Sequence, residues 1–116
     1  MAGHKRDHLV EEIRQKLGML LVREAGDPHL QAVTITGVKL AKDLSTAQVL
    51  FSSYLEGADP EDLSQRLNNA AGFLSKALGR TLSSRKMPRL HFHYDQGFDY
   101  AQDMERLFKE IRKDDE

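Results

Sequence analysis

Residues Asp59–Ser83 read DPEDLSQRLNNAAGFLSKALGRTLS, and how this stretch divides decides the fold. It opens with strong helix-start signals: a capping Asp59, Pro60 at the first helical position, then Glu61 and Asp62 in the first turn. Leu63, Leu67, Ala70, Ala71, Leu74, Ala77 and Leu78 carry an apolar stripe onward to about Ser83. Periodicity alone reads one long helix and places no break in it. Gly72 weakens its middle by roughly 1 kcal/mol relative to Ala, which allows a kink without forcing one.

Upstream, Leu9, Ile13, Leu17 and Leu20, with Val10 and Leu21 beside them, predict a helix from about His4 to Glu24, ended by Gly26-Asp27-Pro28. Ala32–Leu40 and Ala47–Leu55 read as strands. The short polar link Lys42-Asp43-Leu44-Ser45 favours an antiparallel hairpin. Downstream, Leu90–Asp95 alternates: Leu90, Phe92 and Tyr94 on one face, His91, His93 and Asp95 on the other. Phe98, Ala101, Met104, Leu107, Phe108 and Ile111 mark a C-terminal helix with an acidic outer face. The predicted order is α-β-β-α-(α)-β plus a final helix, an α+β domain.

With 116 residues one domain is expected: residues 1–95, with 96–116 as its helical extension. There is no Cys, so no disulfide, thiolate metal site or cysteine nucleophile. No apolar run approaches the roughly 20 residues needed to cross a bilayer. The polar start does not read as a signal peptide, and a cytoplasmic, monomeric protein is expected.

The net charge of −1 hides a segregation. Residues 73–94 hold five bases, Lys76, Arg80, Arg85, Lys86 and Arg89, and no acid; residues 95–116 hold four bases and eight acids. In helical projection Asn69, Gly72, Lys76, Gly79, Arg80 and Ser83 form one strip, beside an apolar arc of Phe73, Leu74, Ala77, Leu78 and Thr81. Cations interleaved with glycines suit a phosphate backbone that approaches closely; the competing reading is a solvated basic face. No aromatic interleaves with the cations, so base stacking is not the expected mode. On the first helix Lys5, Lys16 and Arg23 share one flank.

His91-x-His93-x-Asp95, with His29 as a distant third ligand, has metal-binding residue types, but the plainer reading is the outer face of a half-buried strand, and no metal is expected. Asp95 and Asp99 offer paired carboxylates, yet no nucleophile or phosphate loop stands beside them. An enzyme is not expected.

The stretches Val22–Leu30, Val38–Val49, Ala70–Gly79 and Pro88–Asp95, in this order and spacing, resemble ribosome-binding factor A. The likeness runs from about Arg6 to Asp95. It implies a type II K-homology-like domain in which an Ala-x-Gly kink, here Ala70 and Gly72, replaces the usual Gly-x-x-Gly loop. It further implies binding to the small ribosomal subunit during late maturation of its ribosomal RNA, support of growth in the cold, and neither catalysis nor a cofactor. Lys5, Lys16, Arg23, Lys76, Arg80, Arg85, Lys86 and Arg89 are then the expected RNA contacts. The acidic segment after Asp95 departs from a basic tail. A different reading is a protein-interaction module that uses its sheet face or acidic C-terminal helix.

Overall fold

The fold is taken from a computed structural model that describes residues 2–23, 26–82 and 87–95, with side chains from Arg6 onward. The expected C-terminal helix, and with it Asp99, lies outside the described residues.

Helix α1 spans Ala2–Arg23 and buries Leu9, Ile13, Leu17 and Leu21, one residue per turn. Gly26-Asp27-Pro28 was expected only to end it. The same residues start a further helix, α2 (Pro28–Gln31), which periodicity did not reveal. Asp27 is its cap, with Oδ1 accepting from the His29 N–H at 3.0 Å, and Pro28 opens the helix, where a missing N–H costs nothing. A helix this short buries only Leu30, so it leaves no stripe to detect.

Strands β1 (Val33–Leu40) and β2 (Thr46–Ser53) form the expected antiparallel hairpin. Its turn is tied by Asp43 Oδ1, which accepts from the Ser45 N–H and hydroxyl at 3.1 and 2.6 Å. From α1, the Arg6 guanidinium donates to the carbonyls of Leu40, Ala41 and Lys42 at 2.9–3.2 Å. The register slips between Ile35 and Gly37. This bulge changes which residues face inward, from Val33 and Ile35 to Val38 and Leu40.

The 59–83 stretch is not one helix. α3 covers Pro60–Asn69 and α4 covers Ala71–Gly79, with Ala70 closing one and opening the other. The break therefore sits at Ala70, two residues before Gly72. The chain then returns as β3 (Arg89–Tyr94), parallel to β2, in a sheet of order β1-β2-β3. Helix α1 packs on β1, α3 and α4 pack on β3, and α1 meets α4. Ala47, Val49 and Phe51 of β2 join Leu90 and Phe92 of β3 and Leu63, Leu67, Leu74 and Leu78 of the helix pair in one core. The central strand is buried on both faces: Thr46, Gln48 and Leu50, on its other side, are also shielded.

Candidate nucleic-acid interface

The break at Ala70 is set by the far end of α3. Asn68 reaches the outer margin of β3, where its Nδ2 donates to the Phe92 carbonyl at 3.2 Å. Its Oδ1 accepts from the Phe92 N–H at 2.9 Å. One amide thus satisfies both backbone groups of a strand residue that, among the described residues, has no further strand beside it. The other end of α3 is held by Arg66, which meets Asp62 and Asp27 at 2.9 Å each. With α3 pinned at these points, α4 leaves Ala70 in a direction fixed by the core and lies along α1.

Where α1 and α4 run together they enclose a groove of about 360 Å³, lined by Lys16, Met19, Leu20 and Arg23 from α1 and by Ala77, Arg80 and Thr81 from the other side. Among the described residues its walls combine three cations with three apolar side chains and contain no acid. This joins two sets of residues that the sequence placed on separate helices: the α1 flank of Lys16 and Arg23, and the α4 strip that includes Arg80. Lys76, exposed and next to Ala77, stands at the margin. Gly72 is exposed too, and a Cβ there would meet nothing within 4 Å, so the backbone of the first turn of α4 is open to approach. That turn has neither an acid nor a side-chain cap, so its N–H end adds to the local positive field.

The cations are not equivalent. Lys16 Nζ lies 3.1 Å from Glu12 Oε2 and also donates to the Thr81 carbonyl. It clamps the end of α4 to α1, and its charge is partly offset. Among the described residues, the side chains of Arg23, Lys76 and Arg80 make no ion pair or hydrogen bond. Arg89 stands apart: it opens β3 beside Thr46, its N–H donates to the Ser45 carbonyl, and it does not line the groove. Arg85, Lys86 and the Lys5 side chain lie outside the described residues.

A second, shallower groove of about 490 Å³ flanks the first, between α1 and the start of β1. Its Arg14 is held by Glu11, and each group reinforces the other's charge. The Arg14 side chain holds the Glu11 carboxyl below its usual range, and Glu11 raises Arg14.

Phe73 departs from the sequence reading. Periodicity put it on the apolar arc with Leu74, Ala77 and Leu78, but it is 54% exposed, in the first turn of α4. It stands at the edge of that arc, about 100° round the helix from Leu74, and only the face centred on Leu74 and Leu78 is buried. On the sheet, His93 Nε2 pairs with the Gln48 side-chain amide at 2.5 Å. His29 instead sits beside Asp27, at 3.2 Å. Among the described residues no three His, Asp or Glu side chains gather as metal ligands.

Comparison with known proteins adds the following. The family model described as ribosome-binding factor A matches residues 5–108. The ribosome-binding factor A of Syntrophobacter fumaroxidans is 36% identical over 119 residues, covering 99% of this chain and all of its own. The crystal structure of ribosome-binding factor A from Thermus thermophilus superposes with a TM-score of 0.65 at 30% identity, covering 75% of this chain and 92% of that one. A homology model of the Thermus thermophilus factor, fitted into a cryo-EM map of its 30S complex, gives 0.61 at 29% identity, over 73% and 89% of the two chains.

Proposed function

The chain belongs to the ribosome-binding factor A family, and from that premise we propose that it docks on the small ribosomal subunit, laying the α1–α4 groove against phosphates of folded ribosomal RNA. The observation that supports this reading is the meeting of Arg23 and Arg80 in a groove that, among the described residues, has no acid in its walls, with Lys76 at its margin, none of the three cations having an internal partner there. The K-homology-like scaffold, shared with the solved relatives, holds them on two packed helices.

The work is binding, not catalysis. Each phosphate neutralised releases condensed counterions, so affinity falls steeply with salt. Bound preferentially to one arrangement of the RNA, the protein shifts the RNA toward that arrangement. In the cell this is assistance to late maturation of the small subunit, in the cytoplasm. A second reading, a protein partner, rests on Met19 and Val22, which α1 leaves 49% and 59% exposed; it predicts little dependence on salt.

The test is co-sedimentation of the full chain with purified small subunits across a salt series. Lys76→Glu combined with Arg80→Glu is expected to lower association about a hundredfold and to flatten the salt dependence. Unchanged co-sedimentation at low and moderate salt would show that the surface is assigned wrongly.

A further inference from the structure

Phe73 is an exposed aromatic next to the basic strip of α4, where the sequence suggests no aromatic among the cations, and the groove alone does not explain it. It precedes Lys76 by three residues, Ala77 by four and Arg80 by seven. These spacings place it on the same stripe of α4, about one turn from Lys76 and two from Arg80. Single exposed apolar residues are ordinary on protein surfaces. This one is set apart by its neighbours among the described residues: two cations with no internal partner, beside a groove whose walls hold no acid.

We propose that Phe73 is a stacking platform for an unpaired nucleobase, with Lys76 and Arg80 holding the phosphates on either side of that nucleotide. The inference rests on the RNA-docking reading above and narrows it. Docking through charge alone accepts any RNA helix, whereas a phenyl face needs a base whose own face is free, in a loop, bulge or single strand. Charge favours this occupant over a protein: a polyanion gains from Arg23, Lys76 and Arg80, and a base gives the ring an aromatic surface to cover. The backbone at Gly72, one residue before Phe73, is open, so a nucleotide can lie flat against the first turn of α4.

The experiment measures affinity for small ribosomal subunits at several salt concentrations, for the parent chain and for Phe73→Leu, Phe73→Tyr and the Lys76→Glu/Arg80→Glu pair. Position 73 is also irradiated in the complex with short-wave ultraviolet light, and the adduct is mapped. Phe73→Leu is expected to bind about tenfold more weakly with an unchanged salt slope, while Phe73→Tyr stays close to the parent. The adduct is expected to be a nucleotide from an unpaired segment. If Phe73→Leu binds like the parent while the charge-reversed pair does not, stacking is refuted and the docking surface stands. An adduct to a ribosomal protein also refutes it, since the occupant is then a polypeptide. If neither the Phe73 variants nor the charge-reversed pair lose affinity, both the stacking and the docking surface fall.

Discussion

Arg66 and Arg80 are the same residue type on consecutive helices, and they do opposite things. Arg66, on α3, sits between two carboxylates, Asp62 and Asp27, at 2.9 Å each. These partners raise the Arg66 pKa, Asp62 foremost. Arg80, at the end of α4, meets no acid among the described residues. The first holds α2 and α3 together; the second leaves its charge for a partner. A count of cations cannot separate the two, and neither can their position along a helix. The difference lies in which acids the fold brings to each.

The contrast can be broken in three ways. Asn68→Ala should have the largest effect on stability, about 2 kcal/mol, because it leaves the Phe92 N–H and carbonyl without partners. Asn68→Asp keeps an acceptor and loses the donor, so chemical denaturation should place it between Ala and the parent. Arg66→Glu should lower stability by less, through setting three acids together on an exposed surface. It should leave the salt dependence of small-subunit association unchanged, so a loss of binding at constant stability would erase the distinction between the two arginines.

The smallest effect concerns pH. Burial pushes the Asp27 carboxyl up, but the His29 N–H, the Arg66 guanidinium and the His29 ring outweigh it and hold it below the usual range. A depressed carboxyl stabilises the fold above its unfolded value, about pH 4, and loses that contribution as pH falls through the folded value. Thermal melts of Asp27→Asn, which keeps a capping side chain, should therefore differ from the parent by a few tenths of a kcal/mol near neutrality and converge with it in acid.

Much of this was legible in the sequence. The β1–β2 hairpin, the Asp59-Pro60 start of α3 and the alternation of β3 are local patterns, and they form where expected. The break at Ala70 was not legible from periodicity. Leu63, Leu67, Leu74 and Leu78 all stay buried across it, and the Leu74 N–H still reaches the Ala70 carbonyl at 2.9 Å. The apolar rhythm therefore never skips; only the family resemblance pointed to Ala70 and Gly72. Phe73 was misread for a different reason: it lies at the edge of the α4 apolar arc, and periodicity does not say how much of that arc the core covers. Asn68 left no signal at all, since its partner is a backbone 24 positions away. Of the expected contacts, Lys16, Arg23 and Arg80 come together in one groove, whereas Arg89 stands elsewhere, because the chain leaves α4 and crosses to the start of β3.

The Asn68 amide has a consequence for how the molecule coexists with other chains. The outermost strand of a sheet presents unsatisfied backbone groups that invite strand addition and, with it, aggregation. Here one side chain occupies that site in the middle of β3, and on the opposite margin the register slip in β1 twists the strand away from a regular template. Each margin of the described sheet thus carries one device that discourages extension, and the two are unrelated. Asn68→Ala should therefore give up solubility on storage at high concentration as well as stability, a fault that a thermal melt would not reveal.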